Sequence, residues 1–299
     1  LLATRTPAPS EILGAARVMR ANVDRLTTSI SEADIVDTAG TGGAPKTFNV
    51  STAAAIVAAA GGVRVAKHGN RSRTGRGSAE VLTRLGVNVD AGRLAQKKCL
   101  EEAGVCFCFA VHHHPATRHV MPVRQALGVP TIFNLLGPLT NPAGARRQIM
   151  GVYEHRFVEP IAQALEKLGA LHAMVMHSHD GLDEFSLAAP TDIARVRGGK
   201  VHFETLDPQS LGISAAPREA VIAGDLDDAA AIVQRVLHGE DRGAPRDMVM
   251  LNAAGVFQVA ERAADWREGL EMAGSLIDDG SAARTLDRLI RLSHESPAP

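Results

Sequence analysis

Three short stretches of this chain carry residue types that can do chemistry. Gly40-Thr41-Gly42-Gly43 and Gly75-Arg76-Gly77-Ser78 are glycine-rich turns, and Asp183-Glu184 ends an Asp-Gly-Leu-Asp-Glu run. Glycines let backbone N–H groups close around an anion, and a helix that starts just beyond supplies further unpaired donors. Between Val63 and Arg84 the cations Arg64, Lys67, Arg71, Arg73, Arg76 and Arg84 face only Glu80, a local surplus of +5 in a chain whose formal net charge is −1. That pattern points to a small phosphorylated ligand. A pair of carboxylates at the same rim suits Mg²⁺, which binds through one or two carboxylates and keeps water and substrate phosphates as its other ligands. Neither loop is a nucleotide fingerprint: Gly-x-x-x-x-Gly-Lys-Ser/Thr is absent, and GTGGAPKT lacks the Gly-x-Gly-x-x-Gly spacing.

The elements that must position these residues alternate between strand and helix. A short strand at Ile35-Val36 feeds the first loop, and Asn49-Val50-Ser51-Thr52 opens an alanine-rich helix over 53–60. A second strand over 63–66 delivers Lys67-His68-Gly69-Asn70-Arg71-Ser72, and the second loop leads into a helix carrying Val81, Leu82 and Leu85. The acid pair follows a strand over 172–176. Such alternation predicts an α/β fold, a mostly parallel central sheet flanked by helices, with ligands at the carboxyl ends of the strands.

Upstream, Ser10 is the expected N-cap of an amphipathic helix with Ile12, Ala16 and Met19 on one face, and a second helical piece is expected over 23–30. Further on come a helix over 91–103 and a strand over 105–111, with Cys106 and Cys108 on one side of it. On that strand end His112, His113 and His114 alternate in direction and cannot share one ion. A helix over 116–127 is interrupted at Pro122, and Pro138 and Pro142 mark a bend. Strand 149–152, helix 157–168, a hairpin over 193–203 and helices over 228–237, 245–260 and 264–292 complete the chain. The expected division is an N-terminal helical part (1–33), an α/β part (34–117), a joining segment (118–144) and the continued α/β part (145–299).

Composition narrows the function classes. With 299 residues, 45% hydrophobic and 22% charged, the chain can bury a sizeable core. A net charge near zero with one Trp and one Tyr argues against a nucleic-acid coat or a base-stacking platform. Three cysteines without paired spacing point to reduced thiols and a cytoplasmic location. No apolar run is long enough for a membrane helix.

The ordered set GTGG…TFNVST, AKHGNRS, GSAEVL, FNLLGPLTNP and DGLDE resembles the signature of the anthranilate phosphoribosyltransferase family, from about Ser10 to beyond Ile277. The resemblance implies phosphoribosyl transfer from phosphoribosyl pyrophosphate to the amine of anthranilate, in tryptophan biosynthesis, with Mg²⁺. It implies that Gly40, Gly42, Gly43, Thr47, Asn49, Ser51, Thr52, Lys67 and Ser78, with the Gly77 amide, hold the donor. Anthranilate would lie against Gly40, His68, Asn70, His114, Arg124 and Pro138, with the Arg124 guanidinium on its carboxylate. Ser51 would join Asp183 and Glu184 on the metal, and Lys67 with the acid pair would act on the departing diphosphate. The family also implies a small helical domain through which subunits pair as a homodimer; here the lead-in to that domain is short, trimmed or truncated, which leaves a homodimer possible but in doubt.

Two departures stand out. Ala44 occupies a position that is usually acidic in the family, and the second loop is short, with Arg73 and Arg76 in place of small residues. Lys46, Arg73 or Arg76 is expected to neutralise diphosphate charge instead. The competing readings are a pyrimidine nucleoside phosphorylase-like enzyme and a non-catalytic relative that binds nucleic acid through the basic loops.

Overall fold

The computed structural model describes residues 5–72 and 75–295, with the Gln125 side chain left out. Seven strands form one sheet: β1 (Ile35–Asp37), β2 (Arg64–Gly69), β3 (Val105–Phe109), β4 (Arg147–Gly151), β5 (His172–Ser178), β6 (Thr191–Arg197) and β7 (Lys200–Leu206), in the order β3-β2-β1-β4-β5-β6-β7. The first five run parallel, and β6 and β7 add an antiparallel hairpin at one edge. The order reverses at β1, which has β2 on one side and β4 on the other. In an open α/β sheet the ligand crevice lies beyond the carboxyl ends of the strands at such a reversal. Here that places it past Asp37 and Gly151.

The helices follow in chain order: α1 (Pro9–Ala21), α2 (Val50–Ala60), α3 (Ser78–Arg84), α4 (Arg93–Lys98), α5 (Ala110–His113), α6 (Met121–Leu127), α7 (Ile132–Leu136), α8 (Val158–Lys167), α9 (Leu226–Leu237), α10 (Ala244–Val259), α11 (Trp266–Asp278) and α12 (Ser281–Ser293). One face of the sheet packs on α2, α9, α10 and α12 in a core that includes Ile56, Val65, Leu100, Phe185, Phe257 and Leu289. Helix α2 is apolar all round and buried from Val50 to Ala59 apart from Ser51, as expected of a helix enclosed between a sheet and other helices. Its small side chains allow it to lie against α10 and α12 at once. The other face holds a second core, in which Ile12 and Ala16 of α1 meet Leu135 and Leu136 of α7 and Ile161 and Leu165 of α8. The strongly amphipathic pattern of α8 gives it one face for this core and one for solvent.

The α/β expectation therefore stands, while several local expectations fail. Residues 23–30 are not helical; their amides bond to distant carbonyls, Asp24 N–H to His113 O at 2.8 Å and Leu26 N–H to Pro142 O at 3.1 Å. Helix α1 starts at Pro9 behind Ala8, with Glu11 reaching back to the Ala8 amide at 2.8 Å, so Ser10 is inside the first turn. Strand β2 continues through Lys67 and His68 to Gly69. The chain leaves β3 after Phe109 and coils into α5, so His112 and His113 belong to a helical turn rather than a strand. The helix over 116–127 is a 3-10 turn followed by α6, with the break at Val120, two residues before Pro122.

Candidate active site

The first glycine loop leaves β1 and crosses directly onto β4. Thr41 N–H donates to Gly151 O at 2.9 Å, and Tyr153 N–H donates to Thr41 Oγ1 at 3.1 Å. A Cβ at Gly40 would lie 3.1 Å from Gly151 O and 3.4 Å from Asp183 Oδ2, so the loop backbone sits against the acid pair. Gly42 and Gly43 take φ values of 61° and 99°, in the left-handed region that favours glycine. Gly43 lies against the Tyr153 ring. The loop then closes through Asn49, itself at φ 69°, whose Nδ2 donates to Arg76 O at 3.3 Å and so ties the first glycine loop to the second.

Buried Lys67 points from β2 to the start of α2. Its Nζ donates to Thr38 Oγ1 at 3.1 Å, Thr38 O at 3.4 Å and Ser51 Oγ at 3.2 Å. Burial lowers its pKa, and the nearby carboxylates of Asp37, Glu184 and Asp183 oppose that shift. The acid pair shows the converse: enclosure raises Asp183, and enclosure together with the adjacent Asp183 charge pushes Glu184 up to about 8. Lys46 and Lys67 supply only part of the missing positive charge. Two carboxylates held this close in a sheltered site fit a divalent cation, which would remove the repulsion that now protonates one of them. Among the described residues no cluster of three or more His, Cys, Asp or Glu side chains is arranged for a metal. The fit is therefore to a hard cation that keeps oxygen ligands from water and substrate.

The candidate acceptor residues gather on the opposite face of β2, around residues 131–138. His68 Nδ1 meets Gly137 O at 3.0 Å, and its Nε2 meets His114 Nε2 at 3.1 Å. Arg124 extends from α6 over the Phe133 ring, 5.4 Å from its centroid, with Nη2 3.4 Å from Asn134 Oδ1. Pro138 is buried, and its carbonyl accepts Gln148 Nε2 at 2.8 Å from β4. Asn70 stands exposed at the end of β2, its Oδ1 accepting the Arg71 amide at 2.8 Å. Beneath His114, the helical turn α5 is clamped by Arg93, which donates to His112 O at 2.7 Å and to Asp24 Oδ2 at 2.6 Å.

The structure thus brings Gly40, Asn49, Ser51, Lys67, Asp183 and Glu184 into one crevice, and sets the His68–His114 pair against Gly137 beside Pro138, while Arg124 lies against Phe133 and Asn134 of the same 131–138 segment. Thr47 and Thr52 are buried at the α2 end, where Thr52 Oγ1 has no hydrogen-bond partner. Ser78 is the first residue of α3, but the Gly77 amide is not available to a phosphate because it donates to Glu80 Oε2 at 3.0 Å. Of the three cations expected to replace the acid at position 44, Lys46 acts on both carboxyls of the acid pair and Arg76 donates to Ala223 O, while Arg73 lies outside the described residues.

Sequence reasoning passed over Asp37, Thr38, Gly151 and Asn134. Asp37 is buried at the end of β1, accepts the amides of Ala39 at 3.1 Å and His68 at 3.0 Å, and its enclosure raises its pKa to about 6. A carboxylate at a strand end just before a glycine loop was the available signal.

The model of the glycosyl transferase family, a/b domain, matches residues 32–283, so fold and site together define a glycosyl transferase of that class. An anthranilate phosphoribosyltransferase of Rubrobacter xylanophilus is 47% identical over 294 residues, 98% of this chain and 85% of that protein. The crystal structure of anthranilate phosphoribosyltransferase from Thermus thermophilus superposes with a TM-score of 0.92 at 41% identity, covering 98% of this chain and 88% of that one. The Saccharomyces cerevisiae enzyme, solved in complex with phosphoribosyl pyrophosphate and Mg, gives 0.86 at 28% identity, covering 96% and 80%. This chain belongs to the anthranilate phosphoribosyltransferase family.

Proposed function

We propose that the chain transfers the 5-phosphoribosyl group from phosphoribosyl pyrophosphate to the amine of anthranilate, releasing pyrophosphate, with Mg²⁺ held by Asp183, Glu184 and Ser51. The observation that carries this reading is a buried lysine and a charge-frustrated acid pair placed together where the sheet order reverses, under two glycine loops. When bound, the metal supplies positive charge to the diphosphate oxygens. Lys67 adds a fixed cation, and the loop around Gly40, Gly42 and Gly43, with Thr47, Asn49, Thr52 and Ser78, orients the donor. Arg124 offers anthranilate a two-pronged cation whose partner at Asn134 is long, at 3.4 Å.

An aromatic amine is neutral near pH 7, so attack on C1 of the ribose needs placement more than a strong base. The help is required at the leaving diphosphate, which Lys67 and the acid-pair site face. Among the described residues no helix is long and apolar enough to cross a membrane.

The test is a fluorescence assay of anthranilate consumption with and without phosphoribosyl pyrophosphate and Mg²⁺, with pyrophosphate measured alongside. Consumption that needs both additions and matches pyrophosphate released supports the reading. Phosphorolysis of a pyrimidine nucleoside without anthranilate consumption would replace it.

A further inference from the structure

The paired histidines behind the donor crevice fix each other's protons. The Gly137 carbonyl can only accept, so His68 Nδ1 at 3.0 Å carries the hydrogen. Burial and the neighbouring histidines keep His68 neutral, its pKa pushed down to about 3, which leaves its Nε2 as an acceptor. His114 Nε2, 3.1 Å away, must then be the donor in that contact. His114 is also held neutral, its pKa pushed to about 4 by burial and by His113, so its Nδ1 carries a lone pair. That atom is buried and has no hydrogen-bond partner, in a side chain only 5% exposed. A buried polar atom without a partner costs about 1–3 kcal/mol, so a site that retains one is arranged for a donor that arrives later.

We propose that His114 Nδ1 accepts the proton that the anthranilate amine loses, making His114 a catalytic residue of the reaction proposed above, on which this inference rests. The amine nitrogen forms its bond to C1 of the ribose while the C1–O bond breaks, and that electron pair leaves with the diphosphate. The new secondary amine is then a cation with one N–H too many. Its N–H bond breaks, the electron pair stays on nitrogen, and the proton goes to His114 Nδ1. A weakly basic imidazole suffices, because a protonated aryl amine is itself a strong acid. His68 acts through His114: its tautomer, set by Gly137, keeps the His114 hydrogen on Nε2 and the lone pair on Nδ1.

Nitrogen-15 NMR of the histidine side chains in the wild-type chain tests the arrangement without turnover, with His114→Gln used to assign the resonances. The expected result is an unprotonated Nδ1 and a protonated Nε2 at His114, with the Nδ1 resonance moving upfield when anthranilate alone is added. Kinetically, His114→Gln lowers kcat by about 10²-fold, the lower end for a positioned general base, while KM for anthranilate changes little. A hydrogen on Nδ1 in the free protein, or an Nδ1 resonance unmoved by anthranilate, overturns the proposal. So does a variant with unchanged kcat and raised KM, the outcome for a residue that only lines the pocket. A wild-type chain that consumes no anthranilate removes the acceptor reading itself and the proposal with it, and is told apart by the assay above.

Discussion

Gly151→Ala is the substitution that most directly asks whether the acid pair must sit where the fold puts it. Gly151 ends β4, and a Cβ there would overlap the carbonyl oxygen of Asp183 and lie 2.5 Å from its carbonyl carbon and 2.9 Å from its Cα. Ordinary contact begins at 3.4 Å and the overlapping carbonyl oxygen is the nearest obstacle, so the Asp183 backbone must retreat by well over ~1 Å. The obstacle is backbone rather than the end of a flexible side chain, and the first glycine loop, bonded to Gly151 O through Thr41, moves with it. Misplacing a catalytic group by about 1 Å costs on the order of 10²-fold in rate. The expected variant is folded, by circular dichroism, has kcat lower by about 10²-fold, and needs more Mg²⁺ for half-saturation. Gly40→Ala, whose Cβ meets Gly151 O at 3.1 Å, should fall between this variant and the parent. A Gly151→Ala chain with kcat within about two-fold of the parent and the same Mg²⁺ requirement would show that the acid pair tolerates such a shift, and the geometric argument for its role would be wrong.

Arg124→Ala should raise KM for anthranilate by about 10–100-fold with little change in the donor KM, because a charge-assisted hydrogen bond contributes about 1.5–3 kcal/mol; steady-state kinetics varied in each substrate separates the two. Lys46→Ala should raise the KM for phosphoribosyl pyrophosphate and the Mg²⁺ requirement together, because Lys46 is the lysine acting on both carboxylates from the first loop; an unchanged Mg²⁺ titration would end its role as substitute for an acid at position 44. Glu184 has its carboxyl raised from 4.5 to about 8, so the folded chain holds that proton more tightly than the unfolded one. Metal-free stability therefore falls as pH rises from about 4.5 toward about 8, and Mg²⁺ has to displace the proton below that point, so its Kd tightens by up to about tenfold per pH unit on the way up; calorimetric titration at several pH values would show a flat Kd if the carboxyl were already ionised. Gly14→Ala places a Cβ in open space inside α1 and should raise stability by about 0.5–1 kcal/mol in chemical denaturation, with kcat unchanged.

The parts of this molecule that the sequence made legible are those whose signals are local. A strand, a glycine turn and a helix start occupy adjacent positions, so both loops could be found and assigned to the carboxyl ends of strands before any coordinates. The Pro122 restart and the Cys106–Cys108 side, confirmed by sulfurs 3.9 Å apart, depend on backbone rules of the same short range. What stayed hidden depends on neighbours remote in the chain. Leu26 gives up helical bonding for Pro142, and α1 starts behind Ala8 with Glu11 reaching back to the Ala8 amide, which leaves Ser10, the expected cap, inside the first turn. Reading His112–His114 as a strand end assumed that β3 continued, but Asp24, Arg93 and Gln96 take those histidines into a helical turn.

Sheet order is the deeper reason. From the sequence, β1 is followed by β2 and β3, and nothing local says that its other neighbour is β4, more than a hundred residues on. Only that pairing makes Asp37 and Gly151 the two sides of one crevice, while Gly151 can carry no side chain because the Asp183 backbone, beyond β5, lies where its Cβ would be. The same holds for the histidine pair. His68 and His114 are each visible in a motif, yet the chemistry follows from their contact and from Gly137, and therefore from three segments that the sheet brings together. Motifs identify which residues are able to act on a sugar diphosphate and an aromatic amine, whereas the proton inventory that decides how they act is a property of the folded neighbourhood.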